Sequence, residues 1–260
     1  MKLQNISGMR TLSFGRGEKA MVVIPGLTLG YVTDNASALE TAFAAFTEDY
    51  TVYIIDVKEE VPDGYTLRQM GDDLAAAVTS LGLRKVCLYG CSMGGSEALY
   101  VAGKYPELVD KLVVAAAACR ACETLEDVLG RWIGLAKSGS CRALTADMGQ
   151  RIYSPAVYEA SQEAFAAMAD SLTEELLTRF INTAGTMADL DIREETAAIR
   201  SPLLVLGALG DRVMTAEASR EIAEVAGAEL FLYGEEFPHA VYDEAPDFRE
   251  RAKAFLGGGI

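Results

Sequence analysis

The stretch Val86-Cys87-Leu88-Tyr89-Gly90-Cys91-Ser92-Met93-Gly94-Gly95 changes character at Gly90. Before it lies a short apolar run with the length and composition of a buried strand; from Ser92 onward the residues suit a helix. Between the two, Gly90-Cys91-Ser92-Met93-Gly94 matches Gly-x-Ser-x-Gly, in which the glycines let strand and helix approach while the serine holds a strained backbone. Such a turn exposes a hydroxyl at a helix N-terminus, where free N–H groups and the helix dipole favour a developing oxyanion. The competing reading is a glycine-rich turn in which Ser92 serves only as an N-cap.

Outward from this turn the chain alternates strand and helix. Met9–Phe14 reads as an edge strand, Ala20–Ile24 as a buried strand running into the loop Pro25-Gly26-Leu27-Thr28-Leu29-Gly30, and Val52–Asp56 as another strand after a helix over 36–48. Thr66 and Gln69 stand in capping-box spacing before a helix that runs to Leu81 and stops at Gly82. The serine helix is expected to end near Lys104 and to be followed by a strand from Lys111 to Ala116. This repeat predicts an α/β fold with a mostly parallel central sheet flanked by helices.

From about Arg120 to Ile199 the spacing turns helical without a convincing strand, and Ser171 and Glu174 stand in capping-box spacing. Strands resume at Leu203–Leu206 and Glu229–Tyr233, a last helix is expected over Asp243–Leu256, and the chain closes with a glycine tail from Gly257 to Gly259. The organisation expected is therefore a core of residues 1–118 and 200–260, interrupted by a helical insertion of residues 119–199.

A serine hydroxyl needs a base to take its proton and an acid group to orient that base. The chain of 260 residues contains one histidine, His239, in the loop after the last expected strand. Parallel sheets place their active sites at the carboxyl ends of the strands, which points to Asp211, after Leu203–Leu206, as the acid. Asp56 precedes the serine and Glu123 lies beyond an intervening loop, so both rank behind it. The bland alternative has Asp211 capping the helix near Thr215 and His239 packed beneath the last helix.

Half of the residues are hydrophobic, enough for a large core. The net charge of −15 disfavours nucleic acid and anionic membrane surfaces as partners. The N-terminal residues lack the apolar core of a signal peptide, and no run reaches the length of a membrane span, so a cytoplasmic location is expected. The five cysteines, Cys87, Cys91, Cys119, Cys122 and Cys141, are odd in number and suit reduced thiols. Cys119-Arg120-Ala121-Cys122 lacks the further ligands a zinc site needs, so neither metal nor cofactor is expected.

With the serine turn, the Gly210-Asp211-Arg212-Val213 loop and the Pro238-His239-Ala240 segment in the order Ser, Asp, His, nearly the whole chain resembles the α/β-hydrolase superfamily. The likeness is to its single-cap branch of small esterases, peptidases and carbon–carbon bond hydrolases. The resemblance implies that Ser92 is the nucleophile, His239 the general base and then acid, and Asp211 its orienter. It further implies an oxyanion hole made by the backbone N–H groups of Met93 and Leu27, and a helical cap over the site in residues 119–199. Trp132, Tyr153, Tyr158, Phe165, Met168 and Phe180 would then line a pocket or pack within the cap.

The expectation is a serine hydrolase that cleaves a small, largely apolar carboxylic ester or thioester through an acyl-enzyme on Ser92. Its partner would be a small-molecule acyl substrate, and a homodimer is compatible with the sequence. Carbon–carbon bond cleavage of a dicarbonyl metabolite, or ligand binding without catalysis on the same fold, remain open at this level.

Overall fold

The computed structural model describes residues 1–257. Eight strands form one sheet: β1 (Lys2–Ile6), β2 (Met9–Gly15), β3 (Lys19–Ile24), β4 (Tyr50–Ile55), β5 (Val86–Cys91), β6 (Val109–Ala115), β7 (Leu203–Ala208) and β8 (Glu229–Tyr233). Their spatial order is β1-β2-β4-β3-β5-β6-β7-β8. The β1–β2 and β2–β4 pairs are antiparallel and every other pair is parallel. Every residue of β5 and of β7 is buried, as expected of strands covered on both faces. The edge belongs to β1, not to Met9–Phe14: β2 is sandwiched between β1 and β4. Only the Leu3 and Ile6 positions of β1 are large apolar residues, so it carries little pattern to read.

Helices α1 (Ala36–Ala42), α2 (Leu67–Ser80), α3 (Met93–Lys104), α10 (Ala216–Ala226) and α12 (Phe248–Gly257) accompany the sheet, with the short α9 (Arg193–Ala197) and α11 (Val241–Glu244). One buried cluster joins α2, α3 and α10 to the sheet; the other joins α1 and α12 to its opposite face. The Thr66–Gln69 capping box is formed, with the Gln69 N–H donating to Thr66 Oγ1 and the Thr66 N–H donating to Gln69 Oε1. Two helices are shorter than their patterns suggest. The 36–48 segment breaks after Ala42 into a single 3₁₀ turn, Ala44–Phe46, that buries Phe46. The last helix splits because Pro246 drives Ala245 into an extended conformation, ψ 121°. Gly258 and Gly259 lie outside the described residues.

Between β6 and β7 the chain makes five further helices: α4 (Glu123–Lys137), α5 (Cys141–Ile152), α6 (Pro155–Ala160), α7 (Gln162–Ser171) and α8 (Glu174–Gly185). The cap of α8 is Thr173, whose hydroxyl accepts from the Leu176 N–H, while Ser171 ends α7. The segment leaves and returns through one neck, where the Ile192 N–H donates to Cys119 O at 2.8 Å and the Ala121 N–H to Leu190 O at 2.7 Å. Beyond the neck, α9 packs on α3 and α10 with the sheet. At its far side α8 grips two loops that follow strands: Arg179 donates to Gly30 O, Val57 O and Lys58 O, and Asn182 donates to Val61 O. No helix among the described residues is long and apolar enough to cross a membrane.

Candidate active site

The strand order reverses between β3 and β5, which opens a crevice beyond their carboxyl ends. Ser92 stands there with φ 56° and ψ −130°, a conformation that costs about 1–3 kcal/mol in a residue with a side chain. Its surroundings hold it in place. The Ser92 N–H donates to Ala115 O at 2.8 Å, and its carbonyl accepts from the Gly95 and Ser96 N–H groups. Glycine is required at position 90, where a Cβ would run into the Gly94 carbonyl. Ser92 begins α3 but its hydroxyl makes no capping bond. The N-cap alternative therefore does not describe it.

The hydroxyl is instead 2.9 Å from the Nε2 of His239, and the Nδ1 of His239 is 2.9 Å from the Oδ2 of Asp211. All three are withdrawn from water, with 8 %, 2 % and 7 % of their surfaces exposed for Ser92, His239 and Asp211. Asp211 follows β7, and its other oxygen, Oδ1, accepts from the Val213 and Met214 N–H groups at 2.8 and 3.0 Å. Burial alone would raise its carboxyl pKa, but the charge and hydrogen bond of His239 and the two backbone N–H groups hold it below the ordinary value. The helix after it, α10, has its own cap in Thr215. The sequence alternatives for these two residues thus give way to a single hydrogen-bonded chain from Ser92 through His239 to Asp211.

Asp56 is occupied elsewhere. Its carboxylate accepts from the Val32 and Thr33 N–H groups and from the Thr33 hydroxyl, and burial raises its pKa. Glu123 opens α4 on the far side of the neck. The loop after β3 lies against the serine: a Cβ on Gly26 would sit 3.0 Å from the Ser92 Cβ. Among the described residues, neither the Met93 N–H nor the Leu27 N–H has an acceptor in the hydrogen-bond network.

A cavity of about 490 Å³ runs from Leu27 between the 27–35 loop and helices α5, α7 and α8. A second chamber of about 340 Å³ lies beside Gly26 and Cys91, and Leu27, Ile152 and Tyr153 belong to both walls. Of the aromatic and methionine residues singled out in the sequence, Tyr153, Phe165 and Met168 line the larger cavity. Trp132 and Phe180 are buried in the helical layer instead, Trp132 donating to Asp147 and Phe180 wholly enclosed. Tyr158 packs on Phe165. The lining residue Ile152 escapes sequence reading because its spacing fits a core position equally well. Cys119 is buried and its thiol is pushed up to about 11, chiefly by burial. Among the described residues no group of three or more His, Cys, Asp or Glu side chains is placed to hold a metal ion.

Residues 36–245 match the serine aminopeptidase S33 family. The chain belongs to that family, within the α/β-hydrolase superfamily. This α/β hydrolase is 28 % identical over 196 residues to an α/β-hydrolase superfamily protein of Bacillus subtilis, with 70 % of each chain covered. It is 24 % identical over 227 residues to 3-oxoadipate enol-lactonase 2 of Acinetobacter baylyi, covering 82 % of this chain and 79 % of the relative. Its fold superposes on that of an α/β-hydrolase enzyme from a Medee basin deep-sea metagenome with a TM-score of 0.86, at 21 % identity and over 98 % and 97 % of the two chains.

Proposed function

We propose that this α/β hydrolase cleaves a small, largely apolar carboxylic ester or thioester through an acyl-enzyme on Ser92. The observation that carries the reading is the buried chain of 2.9 Å contacts from Ser92 Oγ to His239 and from His239 to Asp211. In the first half-reaction Ser92 Oγ attacks the carbonyl carbon while His239 Nε2 takes its proton. Asp211 holds the imidazole in the tautomer that accepts at Nε2 and stabilises the imidazolium that forms. The tetrahedral oxyanion sits on the Met93 and Leu27 N–H groups, a donor pair worth about 10²–10³ in rate for each member. Collapse returns the proton from His239 to the leaving oxygen or sulfur. Water, activated in turn by His239, then attacks the acyl-enzyme and releases the acid.

The apolar wall of the larger cavity, with Leu29, Met148, Phe165 and Leu172, suits the acyl arm. Residues 119–199, chiefly α4–α8, serve as the cap that shelters it. Kinship with an enol-lactonase supports an ester, since a lactone is a cyclic one. Hydrolysis of a p-nitrophenyl ester series from acetate to decanoate by wild type and Ser92→Ala tests the proposal. Serine-dependent turnover with a chain-length optimum is the expected result. No turnover, with Ser92 still reactive toward a fluorophosphonate, would overturn the ester reading and leave carbon–carbon bond cleavage by the same serine.

A further inference from the structure

A helix leaves its last carbonyl groups without partners inside the helix. At the end of α5 two of these carbonyls are taken by the loops that carry the acid and the imidazole. Arg212 Nη2 donates to Gln150 O at 2.8 Å, and the Ala240 N–H donates to Ile152 O at 2.8 Å. Arg212 directly follows Asp211, and Ala240 directly follows His239. A third bond completes the clamp: the Ser154 N–H, at the start of α6, donates to Glu244 Oε1 at 2.9 Å. Glu244 ends α11, the helix immediately after the histidine. The clamping turn also presents Ile152 and Tyr153 to both cavities.

We propose that the α5–α6 turn, residues 150–154, positions His239 and Asp211 for reaction, with Arg212 and Glu244 as positioning residues. This rests on the assignment of Ser92, His239 and Asp211 as the reacting chain. Because Ile152 and Tyr153 of the turn line both cavities, a substrate arm packed on them presses on the element that sets the imidazole. The helical insertion then does more than cover the site: its contact with the two loops is part of the alignment. Arg212 suits this role because its cation meets the negative end of α5 and its bond to the Gln150 carbonyl is charge-assisted. Reaction rates respond steeply to such alignment, since a displacement of about 1 Å costs up to about a hundredfold.

The test is covalent labelling of Ser92 by a fluorophosphonate, which needs no knowledge of the natural substrate. Ser92 Oγ forms a bond to phosphorus, fluoride leaves, and the hydroxyl proton passes to His239 Nε2. The maximal labelling rate and the half-saturating probe concentration are measured for wild type, Arg212→Ala, Arg212→Lys, Glu244→Ala and Arg142→Ala. Arg142 is the control, because it lies on α5 but forms an exposed ion pair with Asp170 away from the clamp. Arg212→Ala and Glu244→Ala are expected to lower the maximal rate about tenfold and to change half-saturation less than about twofold. Arg212→Lys, which can still donate to Gln150 O, regains most of the rate, and Arg142→Ala matches wild type. Wild-type labelling in Arg212→Ala and Glu244→Ala overturns the proposal, as does an equal loss in Arg142→Ala. A wild-type Ser92 that does not react at all overturns the triad assignment beneath it, which is a distinct result.

Discussion

The Nε2 of His239 lies 2.9 Å from the Ser92 Oγ across 147 positions of sequence. In the proposed mechanism the two act on one proton, so removing either removes the same step. His239→Gln is expected to lower kcat by about 10⁴-fold or more, and the double variant Ser92→Ala/His239→Gln to be no worse than the single variants. Multiplicative losses in the double variant, read from kcat on the best p-nitrophenyl ester, would show that the residues work independently.

Asp211 divides its two oxygens between two tasks. Oδ1 satisfies the Val213 and Met214 N–H groups and Oδ2 faces His239 Nδ1. In Asp211→Asn the amide oxygen can keep the turn while the amide nitrogen confronts Nδ1, which favours the tautomer with its proton on Nε2. We expect a loss in kcat of about 10⁴-fold, and a melting temperature below that of wild type at neutral pH with the gap closing as pH falls. The lowered pKa of Asp211 also sets a pH dependence. Its stabilising contribution is complete above the ordinary carboxylate range and is lost as pH falls through the lower native value. Asp211→Asn should therefore flatten the acid end of the stability curve; an unaltered acid slope would assign that dependence to other carboxylates.

How much of this was legible beforehand follows from where each residue sits. Ser92 and Asp211 follow the buried strands β5 and β7, and His239 lies in the loop after β8, an edge strand of which only Tyr233 is buried; a parallel sheet brings these strand endings to a common edge. Strand endings and a lone histidine were thus sufficient to bring them together. The β1 strand was not legible, since an exposed edge strand needs no alternating pattern. The early end of α1 depends on the burial of Phe46, a tertiary contact. Arg212 and Gln150 are 62 positions apart and join a side chain to a backbone carbonyl, a pairing that no periodicity encodes.

Leu172 lines the larger cavity at the end of α7. Leu172→Trp fills part of the space assigned to the acyl arm and should shift the optimum toward shorter chains. Each methylene that no longer finds room forfeits about 0.8 kcal/mol, about fourfold in kcat/KM. Steady-state kinetics across the ester series read this directly. An unchanged optimum would place the acyl arm in the smaller chamber beside Gly26.

Glu97 sits on α3, five residues beyond Ser92, and only 4 % of its surface is exposed. Burial, reinforced by the charge of Asp73, raises its carboxyl to about 8. Its native pKa thus exceeds the unfolded one, so the stability it contributes is complete below the ordinary glutamate range and is lost as pH rises through about 8. Glu97→Gln retains the shape without the ionisation. The variant should melt close to wild type at pH 5 and several degrees above it at pH 9, because only the wild type must then bury a carboxylate or unfold to release it. Calorimetry at the two pH values decides the matter: a constant offset would mean that Glu97 stays ionised in the native protein, its charge met by a partner or by water.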